Sequence, residues 1–312
     1  MSFLLNLFPQ SMGILATAVG LGDLPDKEIL GSNPVVVTAG AVLLSLGLIC
    51  DLYLLFRLTR SLAIREPAGD ETFLKIEPKP WGVHDLLFAA GALVIAWVAA
   101  EGTALGVFKL AHMDQEDAIP WLLILDMLLR VVFLFGFVAF FRRRGVDWQQ
   151  AIGLRRKPAL HAIGSGAIFF LAVLPPLAVV FPVCAKLCHV FGIKDTPQDV
   201  ADLLATSDST LVVAVIVAFA ITIAPVFEEF IFRGFAYPAL KQRWGAWRAL
   251  TLVSAVFAAI HLHVPSLGPL FALAVGLGLS YEFTGSLLAP ITMHALFNAT
   301  NVGMLLYVRS HS

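Results

Sequence analysis

Long apolar blocks separated by short polar segments dominate the pattern of this chain. A membrane-spanning helix needs about 20 mostly apolar residues. By that measure the pattern predicts eight transmembrane helices, at residues 34–56, 84–111, 119–141, 160–190, 209–232, 246–262, 266–284 and 286–308. Residues 3–21 are also apolar, but they contain Pro9 and lack a basic leader, so they favour an interfacial or re-entrant piece over a cleaved signal.

Composition agrees with this pattern. Hydrophobic residues make up 59% of the chain and charged residues only 14%, which is more apolar than a water-soluble core requires. We therefore expect an all-α, multi-pass integral membrane protein whose surroundings are a lipid bilayer. The net charge of -1 provides no basic stripe, and this argues against a nucleic-acid partner.

The charges between the predicted spans are uneven. Basic residues follow the first, third and fifth spans, whereas the segments after the second and fourth spans are acidic. Because positive charge marks the cytoplasmic side, the odd-numbered spans are predicted to exit into the cytoplasm, with both termini outside. The basic segment 142–159 is then a cytoplasmic connector.

Residues 224–234 read A-P-V-F-E-E-F-I-F-R-G and place two carboxylates and an arginine in an apolar segment. A charge near the bilayer centre costs roughly 2.5 to 3.5 kcal/mol, so these side chains must face protein or trapped water. Glu229 and Arg233, four residues apart, are predicted to form an ion pair, whereas Glu228 points elsewhere and stays free for acid-base work. Pro225 is expected to kink or restart the helix. The alternative is an ion pair that only fixes helix packing.

Two later spans contribute histidines. The sequence F-A-A-I-H places Phe257 and His261 on one helix face, and H-A-L-F-N places His294 and Asn298 on one face. Taken alone, each histidine is equally consistent with a hydrogen bond to a neighbouring helix.

Depth connects these groups. At 1.5 Å per residue, Glu228 and His261 each lie about 20 Å from the cytoplasmic ends of their helices, and His294 and Asn298 lie roughly 12 to 20 Å along the last span. We therefore expect them to share one polar pocket within the helix bundle. A carboxylate, two imidazoles and an amide are the groups of a water-activating hydrolase.

Other polar residues in the spans have simpler interpretations. Asp126 and Arg130 are four residues apart and are predicted to form a structural ion pair. Glu101 has no evident local partner. Glu282 and His263 fall at predicted helix ends, where we expect solvent exposure.

The motifs E-E-x-x-x-R at 228–233, F-x-x-x-H at 257–261 and H-x-x-x-N at 294–298 resemble the three ordered motifs of the type II CAAX prenyl proteases, also called CPBP or Abi intramembrane proteases. Each motif is loose alone, but the ordered combination is specific. The resemblance covers roughly residues 160–305. It divides the chain into an N-terminal transmembrane region, 1–159, with three spans, the connector and no matched motif, and a protease domain, 160–308.

The resemblance implies an eight-helix membrane endopeptidase. The site residues that it implies are Glu228, Glu229, Arg233, His261, His294 and Asn298. In this scheme Glu228 and His261 activate water, while His294 and Asn298 stabilise the oxyanion. An oxyanion donor is typically worth about 2.7 to 4 kcal/mol.

No cofactor is required in this scheme, but zinc stays an alternative. Glu228, His261 and His294 are the candidate ligands. Asn298 favours the metal-free scheme, because amides are poor zinc ligands and good oxyanion donors. The chain also lacks the H-E-x-x-H pattern of many zinc proteases.

The substrate is expected to be a peptide or protein at the membrane. Some members of the group remove the last three residues from prenylated proteins, and others resemble bacteriocin-processing or immunity proteins. Two alternatives to proteolysis remain: a proton-coupled transporter, because intramembrane Glu and His also form proton relays, and a catalytically inactive scaffold. A transporter typically contains an internal repeat, and the sequence shows none.

Overall fold

The computed structural model describes residues 33–63, 76, 79–113, 115–154, 158–193 and 199–311. Every regular element within these residues is a helix. The expectation for residues 3–21 lies outside the described residues, as do the basic residues Arg65, Lys75 and 155–157.

The described part of the chain contains ten helices and a short 3₁₀ turn at Val264–Ser266. The helices are α1 (Pro34–Ala63), α2 (Val83–Leu110), α3 (Gln115–Arg143), α4 (Trp148–Ala151), α5 (Ala159–Val190), α6 (Asp199–Thr206), α7 (Thr210–Trp244), α8 (Ala246–Ala259), α9 (Leu267–Thr284) and α10 (Leu288–Arg309).

Six of these helices are long and apolar enough to cross a membrane: α1, α2, α3, α5, α7, and α9 together with the short turn before it. The chain is therefore an all-α, multi-pass integral membrane protein, as predicted. The other two predicted spans correspond to α8, which has only 14 residues, and to α10, whose 22 residues include several polar side chains. The total of eight spans and their orientation stay predictions.

Helix α5 lies at the centre of the bundle and packs against α1, α9 and α10. Its contact with α10 depends on Gly166. A Cβ atom at this position would lie 2.4 Å from the carbonyl oxygen of Ala289. Small residues let helix backbones approach closely in membranes, and this approach holds α10, which carries two predicted site residues, against α5.

Aromatic side chains fill the core between α2, α3 and α7. The indole of Trp81 packs against Phe141 and Phe235, with ring centroids 4.8 and 5.7 Å away. Its Nε1 also donates a hydrogen bond to the Phe235 carbonyl oxygen, 3.0 Å away. The segment just before α2 is thereby attached to the helix that bears Glu228 and Glu229.

Glu282 is not solvated, contrary to the expectation from its place near a helix end. Its side chain is 1% exposed and accepts hydrogen bonds from the Tyr237 hydroxyl and the Lys241 ammonium. The main-chain N–H of Ile76 donates to its other oxygen. Tertiary partners on α7 satisfy this carboxylate, and sequence position alone does not reveal them. His263, also expected in solvent, is half-buried and bonded to Ser266.

The close approach at Gly166 predicts a position-specific effect on stability. Gly166→Ala should lower the stability of the detergent-solubilised protein by about 1 to 3 kcal/mol, because the added methyl group overpacks the α5–α10 contact. Gly164→Ala is the matched control on the same helix, since a Cβ there meets open space. Alanine is the better helix former by roughly 0.5 to 1 kcal/mol, so the control should not lose stability. Thermal melting measures both, and equal melting temperatures would contradict the packing described.

Candidate active site

Helix α7 carries Glu228, Glu229 and Arg233 and is continuous through Pro225. The helix does not restart there; two π-helical stretches, Phe219–Ile223 and Phe230–Ala236, interrupt its α-helical pattern instead. Each stretch ends two residues before a proline, Pro225 or Pro238. A proline has no N–H to donate, so the wider hydrogen-bonding pattern lets the helix pass through each proline without breaking.

The first π stretch leaves the carbonyl oxygen of Ala220 without a main-chain donor. The α-helical donor would be the N–H of Ala224, which bonds to Phe219 instead. The π-helical donor would be Pro225, which has no N–H. The side-chain amide of Asn298, on α10, donates to this oxygen with Nδ2 2.8 Å away. Asn298 therefore docks α10 onto α7, and one of its two amide hydrogens remains for another acceptor.

The predicted ion pair between Glu229 and Arg233 is present and deeply buried. Arg233 Nη1 donates to Glu229 Oε1 at 2.8 Å, and the two side chains are 1% and 0% exposed. Arg233 Nη2 donates to the carbonyl oxygen of Ala274 on α9 at 2.9 Å. Its guanidinium also lies over the Phe257 ring of α8, 4.7 Å from the centroid. The arginine thus joins three helices at one point.

Glu229 also fixes the orientation of His294. The same Oε1 atom lies 2.9 Å from His294 Nδ1. A carboxylate paired with arginine accepts hydrogen bonds, so Nδ1 carries a proton, and Nε2 is then an acceptor in a neutral ring or a donor in an imidazolium. Nε2 faces Glu228, with 3.9 Å to Oε2. That distance is too long for a direct hydrogen bond and short enough for one water molecule to contact both groups.

Glu228, predicted to point away from the Glu229–Arg233 pair, has a different arginine as its neighbour. Arg130 Nη1, on α3, lies 3.7 Å from Glu228 Oε1. The expectation considered only residues within reach along one helix, and this contact joins two helices. Glu228 is also more accessible than its neighbour Glu229, at 17% against 0% exposure.

His261 lies in the turn after α8 rather than within the helix. Its Nδ1 is 2.7 Å from the carbonyl oxygen of Phe257, which can only accept, so Nε2 is the available acceptor of the neutral ring. The Phe257 ring contacts both imidazoles, with centroids 5.0 Å from His261 and 5.8 Å from His294. The structure therefore brings Glu228, Glu229 and His294 into direct proximity and attaches His261 to them through Phe257.

The ion pair of Asp126 and Arg130 is also present, with Asp126 Oδ2 2.8 Å from Arg130 Nε. Glu101, for which no partner was evident, accepts a hydrogen bond from Trp97 Nε1 at 2.7 Å. The Trp97 indole in turn lies 5.0 Å from the Arg130 guanidinium. Reasoning from sequence found the local pair and missed that Arg130 reaches Glu228, because no spacing along the chain encodes that contact.

Within the described ranges, no three His, Cys, Asp or Glu side chains lie close enough together to form a metal site. The zinc alternative with Glu228, His261 and His294 as ligands stays an untested prediction.

Comparison with known families bears on the segment from α7 to α10. Residues 210–300 match the family model of the Rce1-like type II CAAX prenyl endopeptidases. This segment is similar to the Rce1-like type II CAAX prenyl endopeptidases. The resemblance inferred from the motifs is thereby confirmed over these residues, and the matched family is a family of proteases. No curated protein and no solved structure matches the chain at a significant level.

The Rce1-like domain contains the predicted polar residues from Glu228 to Asn298, but Arg130 lies outside it. The described polar cluster thus extends beyond the matched segment. Counting Asp126, Glu228 and Glu229 against Arg130 and Arg233, the cluster has three carboxylates and two guanidinium groups. Glu229 is paired with Arg233, whereas Asp126 and Glu228 share Arg130, so the excess carboxylate belongs to the group that contains Glu228. Glu228 is also the more accessible of the two adjacent glutamates.

Two adjacent glutamates provide a matched comparison. Glu229→Gln should destabilise the protein by about 3 to 5 kcal/mol, because it removes the carboxylate partner of a fully buried arginine. Glu228→Gln should cost much less, because Glu228 is partly exposed and makes only long contacts. Thermal unfolding in one detergent measures both variants, and similar losses would show that Glu229 is not the structural member of the pair.

Proposed function

We propose that this protein is an intramembrane endopeptidase that hydrolyses a peptide bond with a water molecule activated by glutamate and histidine. One arrangement supports this most strongly. Glu229 holds both Arg233 and His294 in a buried site, so that His294 Nε2 faces the more accessible Glu228 inside a segment of a protease family.

In the proposed reaction, Glu228 accepts a proton from the attacking water, and His261 assists by accepting a hydrogen bond at Nε2. The water oxygen then forms a bond to the scissile carbonyl carbon. Neither oxygen of Glu228 is within hydrogen-bond distance of Arg130 or His294, so a lone pair remains available to the water. The proton passes from Glu228 to the leaving amine as the carbon–nitrogen bond breaks.

Negative charge develops on the carbonyl oxygen during the attack, and His294 and Asn298 are the proposed donors to it. Asn298 has one amide hydrogen left after bonding to Ala220, and its Nδ2 is held by that bond. His294 is held by Glu229 at Nδ1, and in this scheme the ring enters the reaction as the imidazolium, so that its Nε2–H is the second donor. Donors that are fixed before the reaction stabilise an oxyanion without a reorganisation cost.

The substrate class follows from the family rather than from the geometry. We propose a CAAX-type reaction, in which C-terminal residues are removed from a prenylated protein, with the lipid chain in the bilayer that surrounds the helices. The preferred mechanism uses no cofactor.

A farnesylated, internally quenched CAAX peptide tests this proposal. The purified wild-type protein should cleave it, and Glu228→Gln or His261→Ala should lower kcat/KM by about 10² to 10⁴-fold, the usual contribution of acid-base catalysis. Asn298→Ala should leave measurable activity, with a loss of about 10² to 10³-fold, because only one oxyanion donor is removed.

Two comparisons make the test specific. Asp85→Asn makes the same kind of change in a carboxylate that pairs with Arg144 outside the polar cluster, and it should retain turnover. The unprenylated peptide should be a poorer substrate. Full turnover in Glu228→Gln would contradict the mechanism. Proteomics of cells with and without active protein would identify other cleaved membrane peptides. Such peptides would support the proposed protease activity but contradict the proposed CAAX substrate.

A further inference from the structure

Arg130 lies on α3, outside the Rce1-like segment, and it reaches the carboxylate proposed to activate water. Its Nε donates to Asp126 at 2.8 Å, and its Nη1 lies 3.7 Å from Glu228 Oε1. We propose that Arg130 is a positioning residue of the active site, which holds the Glu228 carboxylate in place and is itself oriented by Asp126. This inference rests on the proposed function of Glu228.

Aromatic rings restrict the guanidinium to this position. The Cζ atom of Arg130 lies 5.0 Å from the Trp97 ring, 5.1 Å from the Phe219 ring and 5.0 Å from the Phe227 ring. A cation over the face of an aromatic ring is attracted to it, and three such rings limit the orientations of a planar group. Two of the rings belong to α7, so the arginine is fixed to the helix that carries Glu228.

The charges around Arg130 favour positioning over binding of an anionic substrate group. Asp126 and Glu228 are two negative partners for one positive side chain, so no net positive charge remains for a substrate carboxylate. An anion entering here would also approach both carboxylates. The guanidinium therefore acts on groups of the protein itself.

The distances suit a carboxylate that must remain reactive. Arg130 lies opposite Glu228 Oε1, and His294 lies opposite Oε2 at 3.9 Å. Both separations exceed a hydrogen bond, so the Arg130 guanidinium attracts the carboxylate through space without occupying its lone pairs, and His294 flanks the other oxygen without bonding to it. Helices α3 and α10 thus flank the same group from two sides, and the region before residue 160 contributes to the site.

Kinetics with the farnesylated CAAX peptide test the role of Arg130. Arg130→Gln should lower kcat by at least about ten-fold, with KM within about two-fold, because substrate binding does not involve this residue. Arg130→Lys should recover part of kcat, since it restores the charge without the planar fork. As a single variant, Asp126→Asn should also lower kcat. Combined with Arg130→Gln, it should cause no further loss, because Asp126 acts through Arg130.

The matched control is Arg144→Gln. Arg144 also pairs with an aspartate, Asp85, and lies over an aromatic ring, but it is about 20 Å further along the helix axis than Arg130. Its loss should leave kcat unchanged. An unchanged kcat in Arg130→Gln would overturn the inference. A loss of kcat in Arg130→Gln that merely tracks a lower melting temperature, with no recovery in Arg130→Lys, would also overturn it.

A second measurement needs no turnover. The melting-temperature shift caused by Glu228→Gln should differ between the wild-type and Arg130→Gln backgrounds, because the two residues interact. Equal shifts in both backgrounds would overturn the inference even if the peptide is cleaved. If the wild-type protein does not cleave the peptide, the CAAX proposal fails, while the melting cycle still decides whether Arg130 holds Glu228.

Discussion

The rest of the site depends on one buried carboxylate oxygen, Glu229 Oε1, which accepts from both Arg233 and His294. A charge without solvent is stable only when paired and hydrogen-bonded, so this oxygen determines where its two partners can lie. Arg233 belongs to the same helix, whereas His294 comes from α10. The local ion pair is thereby converted into a connection between helices, and the imidazole is held with its free nitrogen toward Glu228.

The adjacent glutamates divide two tasks that one group could not perform. Glu229 is fully enclosed and committed to its partners, as a structural group should be. Glu228 is more accessible, and its neighbours Arg130 and His294 lie just beyond hydrogen-bond distance. The Arg130 guanidinium attracts this carboxylate while its lone pairs remain accessible, which suits the general base proposed above. The pair thus places an enclosed carboxylate and a more accessible one side by side on one helix.

The backbone of α7 contributes as much as its side chains. Pro225 and the π stretch before it leave the Ala220 carbonyl oxygen in need of a donor, and Asn298 provides one. An irregular helix that would be costly in lipid is therefore tolerated where a neighbouring helix satisfies it. The same bond fixes the Asn298 amide about one turn of α10 away from His294, so one local irregularity both docks α10 and positions a proposed oxyanion donor.

The sequence alone was sufficient for the helical membrane class, the ion pairs Glu229–Arg233 and Asp126–Arg130, and the family, because apolar length, four-residue spacing and ordered motifs are properties of short segments. It did not reveal that Arg130 faces Glu228, that Glu282 is buried against Tyr237 and Lys241, or that His294 bonds to Glu229. Those contacts join side chains from different helices, and helix packing decides which faces meet. Local periodicity determined which polar side chains lie on each helix face, and only the tertiary structure decided which residues of other helices they contact.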